Sequence, residues 1–172
     1  MLTIEKKTEI AHDLMLIQRE RLLFYDQARK LLKNDDGFHQ CIHFITNQCI
    51  DCILELRPYA ELRFADPADF SDIKGEVYHC WSGIKGFSTG CQPGDVICVC
   101  EENERAATAA YEKALVEGFT IGKSLQQLFS VQLNRMHESL SLLQSHKKPS
   151  APETISNAKK FSVTWSSRLE VA

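Results

Sequence analysis

Residues 4–56 read IEKKTEIAHDLMLIQRERLLFYDQARKLLKNDDGFHQCIHFITNQCIDCILEL, and this stretch decides the fold. Between Ile4 and Lys33 there is no Gly or Pro, and Ile4, Ala11, Leu14, Met15, Leu22, Tyr25 and Leu32 recur on a helical period. They line up as one apolar stripe along a helix about 45 Å long at about 1.5 Å per residue. Asn34-Asp35-Asp36-Gly37 supplies a turn with its own N-cap candidates. After it Phe38, Cys41, Ile42, Ile45, Cys49, Cys52, Ile53 and Leu56 resume the period. So short a connection folds the two helices back on each other as an antiparallel hairpin.

Working outward, Arg57-Pro58 kinks the second helix or begins to end it, and Asp66-Pro67 followed by Phe70-Ser71-Asp72 is the punctuation that closes it. Ile73, Val77, Cys80, Trp81, Ile84 and Phe87 outline a short helix, ended by Gly86 and by the run Ser88 to Gly94. Asp95 is the expected N-cap of a fourth segment with Val96, Val99, Cys100, Ala107, Ala110, Tyr111 and Ala114 on one face and Gly118 as its C′ residue. A last helix follows Thr120 to Ser124, its stripe formed by Leu125, Leu128, Phe129, Met136, Leu140 and Leu143. Two helical pairs joined by a crossover helix predict an all-α, antiparallel, ferritin-like four-helix bundle over residues 1–146. Residues 147–172 open with Lys-Lys-Pro-Ser-Ala-Pro-Glu and carry Phe161, Val163 and Trp165 in alternation, which reads as a flexible C-terminal tail or a docking strand.

Composition narrows the classes of function. A chain of 172 residues, 44% of them hydrophobic, predicts one domain with a real core. Twenty Lys and Arg against 23 Asp and Glu leave a net charge of −3, which argues against a nucleic-acid partner. Charges near the N-terminus and the lack of a long apolar run predict neither a secretory signal nor membrane insertion. Seven cysteines then read as free thiols in the cytoplasm. No Gly-x-Gly-x-x-Gly, P-loop or nucleophile elbow supports nucleotide or hydrolase chemistry.

The run Tyr78-His79-Cys80-Trp81-Ser82-Gly83-Ile84-Lys85, then Gly90, then Cys100-Glu101-x-x-Glu104-x-Ala106-Ala107-x-x-Ala110-Tyr111-x-x-Ala114-Leu115, resembles a bacterial ferritin-like four-helix-bundle family of unknown function. Arg21-x-x-x-Tyr25-x-x-Ala28 and His137 look like its other recurring positions. The resemblance covers about residues 4–146 and departs from the family at Cys41, Cys49 and Cys52, where relatives look more charged. It implies a fold and no established reaction.

Ferritin-like enzymes hold two metal ions with inward Glu and Glu-x-x-His groups, so the direction of each candidate decides. Glu9-x-x-His12 and Glu76-x-x-His79 have the spacing, but by helical angle both pairs are expected to face water. Glu104 points nearest to the axis, with Glu101 beside it and His137 about 100° from the stripe of its helix. These three are the candidates for a degenerate carboxylate site. Cys49, Cys52 and Cys100 fall on core stripes and are the candidates for a thiolate site holding Zn or Cu, while Cys80 is expected on the apolar face of its own helix. Asn103 and Gln132 also fall on stripes, as an expected buried amide pair, and His39 and His43 are expected at the surface. With no catalytic residue or required cofactor emerging, the expected function is non-catalytic, through self-association or a protein partner. The alternative is a metal-binding or oxidoreductase bundle using Fe, Zn or Cu.

Overall fold

The computed structural model describes residues 4–61, 75–81, 86–87, 90–117 and 122–146, and these residues are all-helical in their regular structure. The first helix, α1, spans Ile4–Leu31 and the second, α2, spans Asp36–Ala60. Asp35 caps α2, its carboxylate accepting a 2.9 Å hydrogen bond from the Phe38 N–H, as the Asn34–Gly37 turn predicted. Pro58 lies inside the last turn of α2, and the helix carries on to Ala60. The punctuation expected at residues 66–72 lies outside the described residues.

The short helix α3 is described over Glu76–Trp81, and residues 82–85, which the sequence reading would add to it, lie outside the described residues. Helix α4 spans Pro93–Glu117 and α5 spans Lys123–His146. The start of α4 corrects the assignment of Asp95 as its N-cap. Gln92 carries the capping carbonyl, accepting from the Asp95 and Val96 N–H groups, Pro93 occupies the first turn, and the Asp95 carboxylate reaches back to the Gln92 N–H at 3.2 Å. Proline leads because it has no N–H to leave unpaired there. Gly118 lies outside the described residues. Gly122, just ahead of α5, has φ +105°, a conformation open to glycine at little cost.

Helix α1 packs against α2 and α4, α5 packs against the same two, and α3 lies against α1 and α4. The buried apolar side chains form two clusters. One holds Leu14, Ile17, Cys52, Leu56, Trp81, Tyr111, Phe129 and Met136 among others, and the second holds Tyr25, Phe38, Ile45, Cys49, Val96, Cys100 and Leu143 among others. Along α1 the first cluster stops at Ile17 and the second begins at Tyr25; along α4 the second stops at Cys100 and the first begins at Ala107. The gap on both helices is polar, and it contains the site described next.

No described helix is long and apolar enough to cross a membrane. The segment 147–172, expected as a tail, lies outside the described residues.

Candidate functional site

The gap on α1 is filled by Gln18 and Arg21, both with no exposed surface, and the gap on α4 by Glu104, equally buried. Arg21 is positioned by the helical repeat itself: Leu14, Gln18, Arg21, Tyr25 and Ala28 follow three- and four-residue steps, so all five point at the interior. The guanidinium grips Glu104 through Nη2, at 2.6 Å from Oε1 and 2.7 Å from Oε2, and through Nε, at 3.2 Å from Oε1. The Tyr25 hydroxyl donates to the same Oε1. The remaining guanidinium nitrogen, Nη1, donates to Gln18 Oε1 at 2.5 Å.

From there a chain of hydrogen bonds crosses the molecule. Gln18 Nε2 donates to the Tyr111 hydroxyl at 2.8 Å, which donates to Gln132 Oε1 at 2.7 Å. Gln132 Nε2 donates to Glu55 Oε2 at 2.8 Å. Arg135 closes the chain, meeting the two Glu55 oxygens at 2.7 and 2.8 Å. The polar layer therefore ties α1 to α4, α4 to α5 and α5 to α2, with a guanidinium–carboxylate pair at each end.

The electrostatics follow from burial. Desolvation works against the Arg21 charge, but facing Cys49 and Glu104 outweigh it and hold the guanidinium well above the usual arginine range. Burial pushes the Tyr25 hydroxyl up, reinforced by the Glu104 charge, and burial also raises Tyr111, helped by Cys52. The thiols respond the same way: burial pushes Cys41 up to about 11 and Cys49 up to about 12, and raises Cys52 and Cys100. Burial keeps these thiols protonated near neutral pH, outweighing the lowering pull of Arg21 on Cys49 and of Arg135 on Cys52, whereas an activated cysteine is partly exposed.

A second polar cluster fastens α3. Asp13 on α1 accepts from the Gly75 N–H at 2.8 Å and the Tyr78 N–H at 3.0 Å, taking the role an N-cap would play from another helix. Desolvation raises its carboxyl by more than those two bonds lower it. The Tyr78 hydroxyl donates to Glu20 at 2.5 Å, and Trp81 Nε1 donates to Asn103 Oδ1 at 3.2 Å. A Cβ at Gly75 would stand 2.5 Å from Asp13 Oδ2 and 2.7 Å from Glu9 Oε1, so a larger residue there would force these carboxylates to shift.

The six sequence-derived metal candidates are dispersed over these surroundings. Glu104 is committed to Arg21 and Tyr25. Glu101 is buried, one oxygen 3.3 Å from Arg105. His137 is exposed on α5, in a groove facing the start of α2. Cys49, Cys52 and Cys100 are fully buried as their stripes predicted, Cys52 in the first apolar cluster and the other two in the second. Among the described residues no three His, Cys, Asp or Glu side chains gather as a group able to hold a metal ion.

Several expectations need correction. The interior encloses the Arg21–Glu104 ion pair, which the apolar stripes did not predict. His12 is buried, since α3 covers a second face of α1 where consecutive residues from Ile10 to Met15 are all enclosed. Glu9 is half-buried, while Glu76 and His79 face water as predicted. Cys80 is exposed, opposite to its placement on an apolar face. Asn103 and Gln132 are both buried but bond to Trp81 and to Tyr111 with Glu55, not to each other. His43 is exposed and His39 half-buried.

The sequence pointed to Arg21 through the resemblance alone and to Tyr25 also as a member of the first apolar stripe, and it gave no signal for Gln18, Glu55 or Arg135. Compared with known proteins, the chain matches no family model, no curated protein and no solved structure.

Proposed function

We propose that the chain is a ferritin-like four-helix bundle, of the bacterial family its third and fourth helices resemble. In this reading it performs no chemistry at its centre and acts in the cytoplasm through protein contacts, by self-association or by binding a partner. The observation that carries the reading is the fully buried Arg21–Glu104 pair. In a ferritin-like enzyme the inward carboxylates balance metal ions. Here the inward carboxylate has both oxygens engaged by a guanidinium, so a second cation at Glu104 would meet a fixed positive charge. The donor set does not fit a di-metal centre as it stands.

Contact through helix faces is supported by the outward apolar side chains of α2. Ile50 and Leu54, 45% and 58% exposed, are one turn apart on the same side of the helix. Such side chains gain from burial against another protein.

The test is elemental analysis of protein purified without chelators, together with sedimentation of the parent and the Ile50→Glu, Leu54→Glu variant. The reading expects Fe, Zn and Cu far below one per chain. It also expects an assembly or partner complex that the paired substitution dissolves without loss of helicity. Stoichiometric metal would overturn the first half, and an unchanged assembly the second.

A further inference from the structure

The first turns of α2 and the last turns of α5 leave an open groove of about 790 Å³ between them, on the outside of the second apolar cluster. Its floor is apolar, with Cys41, Leu142 and Phe44, whose ring is 43% exposed. His137 stands at one end and His146 at the other, where Gly37 comes close to the His146 ring. The two histidines are nine residue steps apart on α5, so the groove is about 14 Å long at about 1.5 Å per residue. His146, at its end of the groove, is also the last described residue before the segment 147–172.

We propose that this groove is the seat of the chain's own segment 159–168, with Phe161, Val163 and Trp165 laid along the apolar floor. The lengths agree: in an extended chain these three side chains share one face and span about 13 Å at about 3.3 Å per residue. The fourteen residues between His146 and Phe161 are more than enough to turn back over the groove. The charges agree as well. The segment carries Lys159, Lys160 and Arg168 with no acid among them, while Glu138 lines the groove and Asp35 and Asp36 immediately precede Gly37 at its His146 end. The chain has two tryptophans, Trp81 in the first apolar cluster and Trp165 in the segment, so one label reports on both places.

Full-length protein carrying 5-fluorotryptophan gives one fluorine resonance for each, assigned with Trp165→Phe. A seated segment places the Trp165 resonance away from its position in the denatured chain. Phe44→Asp in the groove and Phe161→Asp in the segment should each return it there while the Trp81 resonance stays fixed. The second variant alters no described helix, so it answers even if the first unfolds the protein. A Trp165 resonance already at the denatured position in the parent overturns the proposal, as does one that Phe161→Asp leaves unmoved. A shift that disappears on dilution, in step with loss of a dimer, also overturns it, by assigning the groove to the segment of a second copy.

Discussion

Two arginine–glutamate pairs stand at the ends of one hydrogen-bonded chain, built from the same chemistry in different solvents. Arg21 and Glu104 have no exposed side-chain surface, whereas Arg135 and Glu55 keep 25% and 34% of theirs. In water the attraction of such a pair is nearly cancelled by hydration and screening. Inside the protein neither partner has that alternative, so each depends on the other to be tolerated at all. The same bidentate geometry therefore makes one pair a structural necessity and leaves the other close to optional. What the inner pair contributes is less a gain over an apolar core than a demand that α1 and α4 meet in one register.

The largest predicted effect comes from removing one inner partner. Glu104→Gln or Arg21→Met should each lower stability by about 3–5 kcal/mol in urea unfolding, because a charge is left in the core without its counter-ion. A loss below about 1 kcal/mol would mean that water reaches the layer and that the two pairs are alike. Next comes the link between them. Tyr111→Phe leaves Gln132 Oε1 without a donor and Gln18 Nε2 with only Met136 Sδ, at 3.8 Å, and should cost about 1–3 kcal/mol in the same measurement. Arg135→Met, at the rim, should cost about 1 kcal/mol or less.

The smallest effect is in pH dependence, and its sign distinguishes the rim pair. Desolvation would raise the Glu55 carboxyl, but hydrogen bonds from Arg135 and Gln132 overcome it and hold it below the ordinary 4.5. A carboxylate whose folded pKa is depressed adds stability above its unfolded pKa, and that addition fades as pH falls through the folded value. Stability should therefore drop below pH 4.5, and Arg135→Met should flatten that part of the curve. An unchanged acid limb in Arg135→Met would detach Glu55 from Arg135.

The helices were legible in the sequence because their stripes are long, with Gly and Pro confined to helix ends, as Gly37, Pro58, Pro93 and Gly94 are. The polar layer was not, although it left a trace. Gln18 and Arg21 occupy two steps of the α1 repeat where only apolar residues had been counted, while Glu104 and Gln132 were read as inward on α4 and α5 but without their partners. An interruption of this kind on one helix is ambiguous, since a lone buried charge would be prohibitive and a solvated one unremarkable. Only the pairing of α1 with α4 reveals that the interruptions coincide. His12 was misplaced for a related reason: a single apolar stripe describes a helix covered on one side, and α1 is covered by α3 as well. Cys49, Cys52 and Cys100 were placed correctly because buried cysteine follows the apolar period, whereas Cys80, placed the same way on α3, is exposed.

The account rests on Arg21 and Glu104 acting as one neutral unit, and a double-mutant cycle measures this directly. Arg21→Met, Glu104→Leu and the combined variant should be unfolded in urea beside the parent. The two single variants should each be strongly destabilised, while the combined variant regains most of the loss, since replacing both members of a buried pair by apolar groups is often nearly neutral. Losses that simply add in the combined variant would contradict it.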